Sequence, residues 1–115
     1  MQENDKPVLV YSTFPSPEEA ERIGGALVDR ALAACVNIFP AMTSIYVWEG
    51  KRERSAETAM LIKTRRTLAE RVVAEVRALH PYSNPALLVL PLEGGSADFL
   101  RWIGEQTAAA KTADT

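Results

Sequence analysis

The sequence predicts an α+β fold in which helices cover one face of an antiparallel sheet, with a long central hairpin and an extra helix at the C-terminal end. Three observations carry this expectation. Residues 8–14 and 86–92 are apolar, β-prone runs. Two amphipathic helical stripes, each preceded by a capping pattern, lie between strand-like stretches. Residues 35–64 form a β-branched and aromatic stretch folded once at a turn. A chain of 115 residues holds one core and not two. The expectation is a single domain over 8–107, a flexible N-terminus over 1–7 and a frayed tail over 108–115.

The first strand closes at Pro15, and Ser16-Pro17-Glu18-Glu19 then starts a helix. Ser16 is placed to cap, Pro17 loses nothing at the first helical position, and Glu19 completes a capping box. Ala20, Ile23, Leu27, Ala31 and Ala34 recur at spacings of three and four, which puts one apolar stripe against the sheet. Gly24-Gly25 lowers helix propensity and is explained most simply by close approach to a neighbour.

The stretch from Cys35 to Trp48 is strand-like, with a bend or bulge expected at Pro40, which has no N–H for a ladder. Glu49-Gly50-Lys51 is turn chemistry, and a return strand is expected over about residues 57–64. Thr67-Leu68-Ala69-Glu70 repeats the capping-box pattern and opens a helix with a stripe of Leu68, Val72, Val76 and Leu79, stopped at His80-Pro81. After the last strand, Gly94-Gly95 breaks the pattern and Ser96 caps a third helix carrying Phe99, Leu100, Trp102 and Ile103. The first six elements give the βαββαβ order of ferredoxin-like sandwiches. The hairpin outreaches the outer strands, so its aromatic end at Ile45, Tyr46, Val47 and Trp48 needs another copy of the chain to pair with.

Composition excludes several classes. Thirteen basic residues against fifteen acidic ones leave a net charge of −2, which argues against nucleic acid and anionic lipid as partners. No apolar stretch approaches the roughly 20 residues of a spanning helix. The polar start of the chain carries no signal-like core, so the cytoplasm is the expected compartment. No nucleophile elbow, phosphate-cradling glycine loop or zinc-ligand spacing occurs, which leaves no motif for the common hydrolytic or phosphate-binding chemistries.

The residues that carry chemistry are few. Cys35 reads either as a small buried thiol or as a soft ligand for copper or zinc. His80 reads either as an imidazolium on the dipole of the helix it ends or as an exposed imidazole ligand at a cleft rim. Glu57 and Lys63 are an even spacing apart, which directs both to one sheet face, as a solvated pair or as the lining of a pocket. Tyr46 and Trp48 also share a face, suited to a subunit interface or to ligand stacking.

Ala33-Ala34-Cys35-Val36-Asn37-Ile38 with Pro40, Thr43-Ser44-Ile45-Tyr46, Trp48-Glu49-Gly50-Lys51, Ile62-Lys63-Thr64, His80-Pro81-Tyr82 and residues 100–103 together closely resemble the CutA divalent-cation tolerance family. The resemblance runs from about Val8 to Ile103. It implies a cytoplasmic homotrimer built through intersubunit strand pairing, without catalysis, with a role in tolerance of copper and other divalent cations. It further implies weakly held Cu(II), or another divalent cation, at His80 and Cys35. Ser12 stands where the member usually discussed for copper has a cysteine, and a hydroxyl is a poorer copper ligand than a thiolate. The family trimer also resembles that of PII signalling proteins, which implies a ligand cleft between subunits near Trp48, Glu57, Lys63 and Tyr82.

Overall fold

The computed structural model describes residues 5–113 of the chain. In order, the elements are β1 (Pro7–Phe14), α1 (Pro17–Asp29), β2 (Cys35–Trp48), β3 (Lys51–Arg65), α2 (Arg66–Leu79), β4 (Leu87–Pro91), α3 (Ala97–Gln106) and α4 (Ala108–Ala113). The four strands form one antiparallel sheet in the order β2-β3-β1-β4. This is the expected βαββαβ core with a C-terminal helical addition.

Alternation along the strands decides what each sheet face does. Val8, Val10 and Phe14 pair with Thr64, Ile62 and Thr58, and these residues are buried. Their face packs on Ile23 and Leu27 of α1 and on Leu68, Val72 and Val76 of α2, forming the main core. Gly24 lets α1 approach this closely: a Cβ there would lie 2.9 Å from both Met60 Sδ and Val36 Cγ2. Gly25 faces open space and has no such role.

The opposite face is only partly covered. Lys63 and Arg65 alternate with the buried Ile62 and Thr64, so they point away from α1 and α2. Both meet α3: Lys63 Nζ lies 5.1 Å from the centre of the Phe99 ring, and Arg65 bonds to the Gly104 carbonyl. Leu88, Leu90 and Phe39 belong to the same face and are exposed.

The hairpin is longer than a return strand over residues 57–64 would make it, because β3 begins directly after the turn at Glu49-Gly50. Its 14- and 15-residue strands outreach the eight of β1 and the five of β4. The bulge falls at the expected place, between Phe39 and Met42, with Ala41 in a left-handed conformation at φ 62°. The tip carries exposed Ile45, Tyr46, Val47 and Trp48.

Helix ends differ from the sequence expectation in three ways. Ser16 caps α1 by accepting from the Glu19 N–H, but the Glu19 carboxylate pairs with Arg22 and does not close a capping box. The stripe expected to continue through Ala34 breaks after Asp29, where Ala31 turns left-handed at φ 59°. Helix α2 has Arg65 at its N-cap and no local side-chain cap. Asp5 supplies one from across the chain, its Oδ1 accepting from the Thr67 N–H at 3.2 Å and the Thr67 hydroxyl at 2.7 Å.

The expectations of a flexible start and a frayed tail fall in part on residues 1–4 and 114–115, which lie outside the described residues. Between those limits, Asp5 is buried, β1 begins at Pro7 and residues 108–113 are helical, with Ala110 in the core cluster.

Candidate functional site

The second sheet end, where α2 stops, gathers five of the seven residues that the sequence puts forward for the site, Tyr46, Trp48, Glu57, His80 and Tyr82. His80 follows the last turn of α2 and is 8% exposed, not the open ligand of a cleft rim. Its ring stacks on Phe14 at 4.6 Å and lies 4.9 Å from the Tyr82 ring. Nδ1 accepts the Tyr82 N–H at 3.1 Å, and Nε2 lies 2.7 Å from the Thr13 carbonyl oxygen. A carbonyl only accepts, so Nε2 carries the proton and the imidazole is the neutral tautomer. Burial holds the His80 pKa below its ordinary 6.5, against the opposing effect of the Thr13 carbonyl.

That pair of bonds fixes the segment after Pro81 and thereby aims Tyr82. The Tyr82 hydroxyl donates to Glu57 Oε2 at 3.0 Å, linking the loop to β3. Burial first, and the Glu57 carboxylate second, push the Tyr82 phenol up to about 12, so it stays a donor at every physiological pH. Glu57 Oε1 has no hydrogen-bond partner among the described residues. On the α1 side, Arg22 reaches the Leu79 carbonyl at 2.8 Å and pairs with Glu19, whose carboxyl is lowered mainly by that hydrogen bond.

Of these, Thr13, Glu57 and Tyr82 border a cavity of about 520 Å³ whose lining also includes Tyr46, Trp48, Ser55 and Asn84. Tyr46 and Trp48 come from the protruding half of β2, and Tyr46 is within 3.4 Å of Ser55. The bulge at Pro40-Ala41 shifts the register of the distal β2, so that Met42 pairs with Glu57. Sequence reasoning missed Ser55 and Asn84. Neither had a signal of its own, because a single hydroxyl or amide in a polar stretch has many ordinary roles.

The other two residues lie elsewhere. Cys35 is half-buried and stands directly across from Lys63, whose other neighbour in the sheet is Leu9. Leu9 and Thr13 are four residues apart on β1, about 13 Å at the usual strand rise. Lys63 is thus not in the cleft that Glu57 lines within this chain, and Cys35 does not share a site with His80. With both His80 ring nitrogens engaged, the two do not make a metal-ligand pair in one chain. Among the described residues, no group of three His, Cys, Asp or Glu side chains is placed to hold a metal ion.

A family model described as CutA1 divalent ion tolerance protein matches residues 8–106. The chain belongs to that family. It is 49% identical over 97 residues to the divalent-cation tolerance protein CutA of Archaeoglobus fulgidus, covering 84% of this chain and 94% of that protein. The solved structure of the periplasmic divalent cation tolerance protein CutA from the same organism superposes with a TM-score of 0.85, 46% identity and coverage of 88% and 98% of the two chains. CutA1 from Ehrlichia chaffeensis gives a TM-score of 0.86 at 34% identity, covering 90% and 96%. The chain also matches chloroplastic CutA 1 of Oryza sativa subsp. japonica at 40% identity over 100 residues, but spans only 56% of that protein's length. The family accounts for the hairpin and the C-terminal helix, features that the ferredoxin-like order alone does not require. Among the described residues, no helix of this CutA-family chain is long and apolar enough to cross a membrane.

Proposed function

We propose that this chain serves divalent-cation tolerance as a non-catalytic cytoplasmic homotrimer whose cleft at Glu57 and Tyr82 binds a small ligand reversibly. The observation that carries the reading is the Tyr82–Glu57 hydrogen bond at the back of a 520 Å³ cavity, with one carboxylate oxygen unused. A pocket of this size with few convergent polar groups suits a small molecule. Trimer formation is supported by the exposed Ile45, Val47 and Trp48 of the hairpin and the uncovered Leu88 and Leu90, an apolar surface that a solitary chain would leave in water. The cavity opens beside that hairpin, so assembly would complete its walls.

A second reading, direct but weak binding of Cu(II) through His80 and Cys35, is supported by the half-exposed thiol of Cys35. It requires His80 to give up a bond to Thr13 or to the Tyr82 N–H, which is why any such affinity is expected to be low. Light scattering tests the assembly, and a monomer at micromolar concentration would end the trimer reading. Thermal shift with metabolite mixtures and with Cu(II), on wild type, His80→Ala and Cys35→Ser, separates the two ligands. Stabilisation by metabolites in wild type and Cys35→Ser, reduced in His80→Ala, supports the cleft. Stabilisation by Cu(II) alone, lost in both variants, supports the metal.

A further inference from the structure

Resting on the cleft reading above, we propose that the cleft selects a small organic cation, an ammonium or guanidinium compound, over an anion or a bare metal ion. The charge that each chain contributes to the lining points to the sign. Glu57 is the only acidic residue that this chain places in the lining, and no Lys or Arg is among the lining residues. Lys51, opposite Trp48 at the hairpin tip, does not line the cavity, and Lys63 sits over Phe99 beneath α3. His80, which backs Tyr82, is buried and accepts the Tyr82 N–H at Nδ1, so its ring stays neutral and adds no positive charge.

The shape of the lining decides the class. Tyr46, Trp48 and Tyr82 place three aromatic rings around one carboxylate. Aromatic faces attract a diffuse organic cation, and more so where water is partly excluded. Glu57 Oε2 is occupied by Tyr82, which leaves Oε1 to meet an N–H or a cationic centre. Tyr82 therefore fixes the direction of the carboxylate. Ser55 and Asn84 add neutral hydrogen-bonding groups at the same cavity. A bare divalent ion finds one carboxylate and no second strong donor, too few for the oxygen or nitrogen shells such ions require. An inorganic anion meets a carboxylate and the electron-rich faces of three rings.

The test uses the whole chain with choline, guanidinium and putrescine as cationic probes and inorganic phosphate and citrate as anionic ones. Binding is followed by calorimetry and by Trp48 fluorescence, with Trp102→Phe to remove the background of the other tryptophan. Saturable binding of a cationic probe is expected, weakened at least tenfold in Glu57→Gln, which keeps the acceptor for Tyr82, and weakened in Trp48→Ala, a change at an exposed position. Unchanged cation affinity in Glu57→Gln would overturn the inference. So would saturable binding of phosphate or citrate that Lys63→Ala abolishes, and that result would leave the cleft itself standing. If no probe of either charge binds, the cleft reading fails and this inference fails with it.

Discussion

Two polar networks sit at opposite ends of the same pair of strands, and they differ in whether the last group is partnered within the protein. At the start of β1, the Arg65 guanidinium bonds to Asp5 at 2.8 Å, to the Thr107 hydroxyl at 2.9 Å and to the Gly104 carbonyl. Asp5 in turn caps α2. That network is buried and spends its donors on the protein, tying the chain start to α2 and α3. At the other end, the path from Thr13 through His80 and Tyr82 to Glu57 stops at a carboxylate oxygen facing a cavity. A network that closes on itself stabilises a fold, and one left open at a cleft is available to a ligand.

Substitutions at the two ends sharpen this contrast. The largest expected effect is that of Arg65→Ala. It takes the guanidinium from beside the buried Asp5 carboxylate, whose side chain is 2% exposed, and a loss of about 3–5 kcal/mol in urea denaturation is expected. Cation binding by the folded fraction should stay at the wild-type level. A changed affinity would mean that the two ends are coupled and would break the contrast.

His80→Ala comes next. It strips the Tyr82 N–H and the Thr13 carbonyl of their partner, at an expected cost of about 1–3 kcal/mol, and it weakens probe binding because Tyr82 loses its support. Tyr82→Phe costs less, about 1 kcal/mol for one half-buried hydrogen bond. Alkaline absorbance titration of that variant should lack the phenol that ionises at about 12 in wild type.

The smallest effect is one of pH. The folded pKa of His80 is depressed, so the unfolded chain binds the extra proton first as pH falls. The stability contributed by neutral His80 is complete above its ordinary 6.5 and is lost as pH falls from there through the folded value. The melting temperature should decline over that window in wild type and decline less in His80→Gln. Equal slopes would show that the acid sensitivity lies elsewhere.

Much of the fold was legible because its signals are local. Ser16 and Ser96 cap the helices they were expected to cap, Pro40 marks the bulge, and Gly24 marks the close approach to Met60 and Val36. The capping box at Thr67 was misleading, since the pattern is there but the acceptor comes from Asp5, 62 positions earlier. The even spacing of Glu57 and Lys63 correctly put both on one sheet face. It said nothing about α3, which covers that face at Lys63 and leaves it open at Glu57.

The sequence by itself determined the strand and helix order, the protruding hairpin and the family, because periodicity, caps and turn residues act over a few positions. Only the tertiary structure decided what His80 does. Whether an imidazole is a ligand, a cation or a neutral link depends on which groups lie within hydrogen-bond reach. Here one is the carbonyl of Thr13, 67 residues away, set beside the ring by the packing of α2 on the sheet. The same packing left one oxygen of Glu57 without a hydrogen-bond partner among the described residues and gave each guanidinium nitrogen of Arg65 a partner from a distant part of the chain.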